Sequence, residues 1–230
     1  VATANTDSRR ARSDATQTAL KRAAEKLIAE RGMENVSIRD IVSVAGQKNE
    51  SALQYHFKNF SGLLSAIREE RSIETQAKRA DLLEALLAHS PEPTLRQICM
   101  LMVQPAFELA RTNIDFRRYI KAFGHELMLA DTSPLAQVDK HGGGGPSGRE
   151  IANLLKKALP HLDADTYRRR MEAAVRLCSA SMYHQARQKN AFRGDQAELF
   201  LRHLIDALVG LLSAPVSEET LAVTKKSRAK

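Results

Sequence analysis

The stretch from about Phe60 or Ser61 to about Ala88 constrains the fold more than any other part of the chain. Its apolar residues fall at helical spacing at both ends, Leu63, Leu64 and Ile67 first and Leu82, Leu83, Leu86 and Leu87 last, while the middle, Arg68 to Arg79, is polar. At a rise of 1.5 Å per residue such a helix extends roughly 40 Å. It reads as a connector between two cores, its polar centre crossing the waist between them. Pro91 and Pro93 stop it.

Three shorter helices fit ahead of the connector. From Asp14 to Arg31, Leu20, Ala23, Ala24, Leu27 and Ile28 recur at helical spacing, with Asp14 and Gln17 placed as a capping-box-like start and Gly32 as the stop. Ser37 caps a second helix with Asp40 at its third position and Ile38, Ile41 and Val42 facing inward, and Ala45-Gly46 closes it. A third helix is expected from about Lys48 or Asn49 to Tyr55, anchored by Leu53 and Phe57. Behind the connector, helices are expected at about 94–111, with Pro105 as a kink, and at about 114–129, 148–159, 164–189 and 195–213. Residues 131–148, with Pro134, Gly142 to Gly145 and Pro146, read as a flexible loop. That glycine run lacks the Lys-Ser/Thr of a phosphate-binding loop. The pattern predicts an all-α fold: a three-helix head joined by a long connector helix to a helical-bundle body. The expected divisions are a flexible basic arm at 1–13, the head at 14–60, the body at 61–214 and a flexible basic tail at 215–230.

Composition removes other classes. With 43% hydrophobic and 27% charged residues there is no surplus for a membrane span, and no apolar run reaches the necessary length. Val1 to Asp14 lacks the apolar stretch of a secretory signal, which predicts a cytoplasmic protein. Cys99 and Cys178 sit in apolar helical patterns and read as small buried hydrophobes. The seven histidines are scattered, with no Glu-x-x-His pair and no zinc spacing, so no catalytic site, metal or cofactor is expected. A formal charge of +8 suggests a polyanionic partner, although the excess lies largely in the terminal segments, Arg9, Arg10 and Arg12 and then Lys225, Lys226, Arg228 and Lys230.

The functional signal is the pair of short helices around Gly46. A capped helix, a glycine turn and a second helix with a polar outer face form the layout of a helix-turn-helix, whose second helix lies in the major groove. Gln47, Lys48, Asn49, Glu50, Ser51 and Gln54 are the exposed candidates for reading bases, with Glu50 expected to face away unless it accepts from a cytosine amino group. Spacing alone leaves open a helical protein-interaction module that does not bind specific DNA.

The combination Ser37-Ile38-Arg39-Asp40-Ile41, Ala45-Gly46, Leu53, Tyr55-His56-Phe57-Lys58 and Leu63-Leu64 resembles the TetR family of bacterial transcriptional regulators, from Asp14 to Leu64. The turn between Ala45-Gly46 and Tyr55 is one residue longer than the usual family pattern. The resemblance implies a ligand-responsive repressor acting as a homodimer on a palindromic operator. It implies phosphate contacts from Ser37, Arg39, Tyr55, His56 and Lys58, although Tyr55 and His56 could instead pack the head's core. Two heads about 34 Å apart would enter successive major grooves. A dimer interface is expected on the last two body helices, at Tyr167, Met171, Val175, Met182, Phe200, Leu204, Leu208 and Leu211, unless a monomer buries both. A pocket for an unidentified small apolar effector is expected around Met100, Phe107, Phe116, Tyr119, Phe123 and Met128, residues that could equally fill a core.

Overall fold

Residues 2–31 contain neither glycine nor proline, and in the computed structural model they form one helix, α1 (Ala2–Arg31). The model describes residues 2–129, 131–140 and 144–228, and no strand occurs among them. The expected arm is therefore an extension of α1, because nothing in its sequence halts a helix at Asp14. Gly32 stops α1, and a 3-10 turn (Met33–Asn35) leads to α2 (Ile38–Val44). The Ser37–Asp40 capping box forms in full: the Ser37 hydroxyl accepts from the Asp40 amide at 3.1 Å, and the Asp40 carboxylate accepts from the Ser37 amide at 3.0 Å.

Gly46, at φ +68°, makes the turn into α3 (Ser51–Phe57). A left-handed residue is needed there, and glycine takes that conformation without a Cβ penalty. The connector α4 (Phe60–His89) follows, capped by Asn59, whose side-chain oxygen accepts from the Gly62 amide at 2.8 Å. Gly62 lets α4 start where it does: a Cβ there would fall well inside van der Waals distance of the Phe57 carbonyl oxygen.

The body comprises α5 (Leu95–Thr112), α6 (Ile114–Phe123), α7 (Glu126–Leu129), α8 (Pro134–Lys140), α9 (Gly145–Ala158), α10 (Ala164–Ala186) and α11 (Gly194–Ser213). A last helix, α12 (Glu218–Arg228), occupies much of the expected tail. Pro105 stands inside α5 without ending it. The expected helix at 114–129 is broken at Gly124, whose carbonyl accepts from the Ser179 hydroxyl of α10 at 2.5 Å. The expected loop at 131–148 is largely helical. Pro134 and Pro146 open α8 and α9, in the first turn where a missing amide proton costs nothing. Gly142 and Gly143 of that stretch lie outside the described residues.

Two apolar cores result. The head core gathers Leu20, Leu27, Ile41, Leu53, Leu63 and Ile67, and the body core is built around Phe107, Leu155, Phe192, Ile205 and Leu208. The waist is not bare, as the polar centre of α4 suggests, because Ala122 and Phe123 at the end of α6 complete the head core. Beside them Arg71, 1% exposed, donates to Glu25 of α1, fully buried, through two bonds of 2.7 and 2.8 Å. Glu74 accepts from the same guanidinium, Arg22 donates to Glu25, and Arg22 and Lys21 both pair with Glu70. Head and body are thus joined by α1, α4 and α6 together. No single helix among the described residues is long and apolar enough to cross a membrane.

Candidate nucleic-acid interface and internal cavity

The turn after Gly46 runs on further than the sequence pattern predicts, and α3 starts late. The helix starts at Ser51 instead of Lys48 or Asn49, so Gln47, Lys48, Asn49 and Glu50 stand in the turn and only Ser51 and Gln54 of the base-reading candidates are helical. Glu50 at the N-cap makes no capping bond with its side chain. Asn49 takes over, its side-chain oxygen accepting from the Ser51 amide at 3.2 Å and from the Ser51 hydroxyl. The Gln47 side-chain amide donates to the Ala45 carbonyl at 3.3 Å. Lys48, Asn49, Glu50, Ser51 and Gln54 are exposed, Gln47 is half-buried, and the turn and the start of α3 line a shallow open concavity with Tyr55.

At the other end of α3 the chain makes a second tight feature. Lys58 has φ +68° and ψ −47°, and the Asn59 amide donates to the Phe57 carbonyl at 2.8 Å. This is a γ-turn of the rare, strained kind, centred on a residue with a side chain. Lys58 is exposed there, as is Tyr55 at 83%, while His56 is half-buried and meets the Tyr55 ring edge-on at 4.9 Å. Leu53 and Phe57, not Tyr55, pack the head's core. Arg39 is exposed on α2, and Ser37 is exposed although its hydroxyl is committed to the cap. The arrangement presents amide, hydroxyl and ammonium groups on one outward surface, flanked by an exposed phenol.

In the body, α4, α5, α6, α9 and α10, with residues of α7 and α8, line a partly open cavity of about 490 Å³. Phe116, Tyr119 and Phe123 of α6 line it as expected from the sequence. Met100, Phe107 and Met128 do not: Phe107 lies in the core against Phe192, Met100 packs on that core, and Met128 is 40% exposed. Met171, Val175 and Met182 of α10, expected at a dimer interface, face the cavity. Leu204 and Leu208 of α11 are buried in the body core, and Tyr167, Phe200 and Leu211 are half-buried against it. Helical spacing shows that a face is apolar but not what covers it, which is why these residues stand elsewhere than expected.

The polar lining escaped the sequence reading altogether. Arg68, Arg71, Ser72, Thr75, Gln76 and Arg79 lie along one face of α4 and point into the cavity region, a stripe at three- and four-residue spacing that the sequence does display. Arg68 makes two bonds to Glu126, at 2.6 and 3.0 Å. Burial pushes the Tyr119 hydroxyl up to about 12, so it stays a neutral hydrogen-bonding group. Burial likewise holds the Cys99 and Cys178 thiols at about 12, and both are free.

Residues 20–67 match the family model for bacterial regulatory proteins of the tetR family, and residues 100–214 match that for the tetracyclin repressor-like C-terminal domain. The chain belongs to the TetR family. It is a DNA-binding transcriptional regulator of that family, and the second match extends the assignment over the body, where the sequence offered only helical periodicity. Among solved structures, one described as a TetR-family transcriptional regulator from Rhodococcus sp. is similar at TM-score 0.59 and 18% identity, covering 86% of this chain and 99% of that one. A TetR family transcription regulator from Marinobacter aquaeolei is similar at TM-score 0.56 and 16% identity, covering 86% and 97%. At these identities the likeness speaks to the fold. A search of curated proteins gives no match.

Proposed function

We propose that this TetR-family chain is a cytoplasmic, ligand-responsive repressor that binds a palindromic operator as a homodimer. The observation that carries the DNA-contact assignment is the exposed polar surface from Lys48 to Gln54 with the Lys58 γ-turn beside it. Ser51 and Gln54 on α3, with Lys48 and Asn49 in the turn, read base edges in the major groove. Lys58, Tyr55, His56, Arg39 and Ser37 hold phosphate, and phosphate contacts fix register without reading sequence. Lys58 is exposed, which leaves its ammonium accessible to the backbone of the duplex.

Dimerisation runs through the outward faces of α10 and α11, which pack side by side. Ala173, Ala207 and Gly210 are exposed there, and a Cβ at Gly210 would meet nothing within 4 Å. Small residues permit the close helix approach that a two-fold interface needs. Ligand sensing uses α6. Phe116, Tyr119, Ile120 and Phe123 line the cavity, while Ala122 and Phe123 also complete the head core. A ligand that moves α6 therefore shifts the head relative to the body and changes the spacing of the two heads.

Fluorescence anisotropy titrations of labelled duplex DNA over a range of salt test the reading. A dimer neutralising several phosphates loses affinity steeply as salt rises, and Lys58→Ala lowers that slope by about 1 per head. Affinity indifferent to salt would point instead to a helical protein-interaction module.

A further inference from the structure

Three guanidinium groups border the cavity, and two of them have carboxylates. Arg68 holds Glu126, and Arg71 holds Glu25 and Glu74. Arg79, the third, donates to the Gly144 carbonyl at 3.2 Å and pairs with no carboxylate among the described side chains. We infer that Arg79 is the anchor for an anionic ligand, and that the ligand sensed by this protein is a carboxylic acid with an apolar body. The inference rests on the cavity being the ligand site proposed above.

The charge environment separates Arg79 from its neighbours. Burial disfavours the charged form of all three arginines, but carboxylate partners outweigh it at Arg68 and Arg71, whose pKa values lie above the ordinary one. At Arg79 burial acts unopposed and the value is lowered. A desolvated cation without a counter-ion is costly to keep. An incoming carboxylate removes that cost, and the planar fork of a guanidinium suits two parallel hydrogen bonds to its oxygens.

The rest of the cavity sets the remainder of the ligand. From Arg79 to Arg68 along α4 the lining spans about 16 Å at 1.5 Å per residue. Beyond the polar α4 stripe most of the walls are apolar, among them Met102, Ile120, Ile151, Leu155, Met171 and Met182, with Tyr119, Glu126, Gln137 and Ser179 as the polar exceptions. Thioethers adapt to the shape of a flexible chain. One unpaired cation matches one negative charge. A phosphate dianion would carry a second charge into an apolar chamber with no partner for it.

Three ligands with one tail and different heads make the test: decanoate, decanol and decylamine, each titrated into the full-length protein by calorimetry below its micelle concentration. Decyl phosphate is the fourth arm. Decanoate is expected to bind roughly ten- to a hundredfold more tightly than decanol, the range for a hydrogen bond to a charged group. Decylamine and decyl phosphate are expected to be weaker than decanoate. Arg79→Met should bring decanoate down to decanol while leaving decanol unchanged, which also shows that the variant is folded. Arg79→Lys should fall between. Equal affinity for decanoate and decanol, tightest binding of the amine or the phosphate, or an undiminished decanoate preference in Arg79→Met would overturn the inference while leaving the cavity as a ligand site. Failure of all four to bind would overturn both.

Discussion

Replacing Arg71 by methionine removes a side chain that touches the head, the connector and the cavity together. Its guanidinium makes two bonds to Glu25 on α1, two to Glu74 on α4, and lies over the Phe116 ring at 5.7 Å. In Arg71→Met the fully buried Glu25 keeps only Arg22, at 2.8 Å. Losing one partner of a buried, bidentate ion pair costs about 3–5 kcal/mol, because the other charge is left behind without compensation. For a chain of this size that corresponds to a fall of roughly 6–20 °C in melting temperature. Glu25→Gln should cost less, since the amide oxygen still accepts from the guanidinium. The double variant Glu25→Leu with Arg71→Met should recover much of the loss, because no buried charge then remains unpaired. Arg202→Met is the control: it breaks the exposed Arg202–Glu198 pair, and about 0.2–1 kcal/mol is expected. Thermal unfolding followed by circular dichroism reads all four. A fall for Arg71→Met no larger than for Arg202→Met would refute the idea that this pair ties head to body.

Other outcomes follow from the same contacts. Burial pushes the Glu70 carboxyl up, but hydrogen bonds and charge from Lys21 and Arg22 outweigh it and hold the pKa below the ordinary value. Its stabilisation is therefore complete above the unfolded value of about 4.3 and is lost as pH falls through the lower folded value. Glu70→Gln should flatten that part of the melting curve against pH. Gly62→Ala forces a methyl against the Phe57 carbonyl and should unfold the head, whereas Gly46→Ala meets no atom within 4 Å and should cost about 1 kcal/mol from its positive φ alone. Lys58→Gly relieves the γ-turn and should raise head stability by about 1 kcal/mol while weakening all duplexes alike. Gln54→Ala should change sequence preference instead. Gly210→Arg on the outer face of α11 should give monomers in sedimentation velocity without lowering the melting temperature of the body.

How much of this was legible in the sequence depended on whether a local rule decided the matter. The Ser37–Asp40 box, the Gly46 turn and the span of α4 follow from capping chemistry and periodicity, and they appear where those rules put them. The start of α3 did not follow, because the Asn49–Ser51 bonds hold residues 47–50 in a turn where an earlier helix start was expected. Pro134 and Pro146 read as breakers, yet each opens a helix, a distinction that depends on which side of the proline the apolar residues find a core. Met171 and Met182 read as an outer seam and line a cavity, while Leu204 and Leu208 vanish into the body. Partners of a buried face come from distant parts of the chain, and periodicity carries no information about them. The α4 stripe from Arg68 to Arg79 was visible but read as a waist between two cores, since the packing of α5, α9 and α10 over it is what creates a chamber.

Selection of bound sequences from a pool of random duplex DNA tests the central claim most directly. The account predicts enrichment of a palindrome whose half-sites are centred about one helical turn, or a small multiple of it, apart. It also predicts that Gln54→Ala changes bases within each half-site while leaving their spacing intact. Recovery of no enriched sequence, or of a motif without two-fold symmetry, would contradict it.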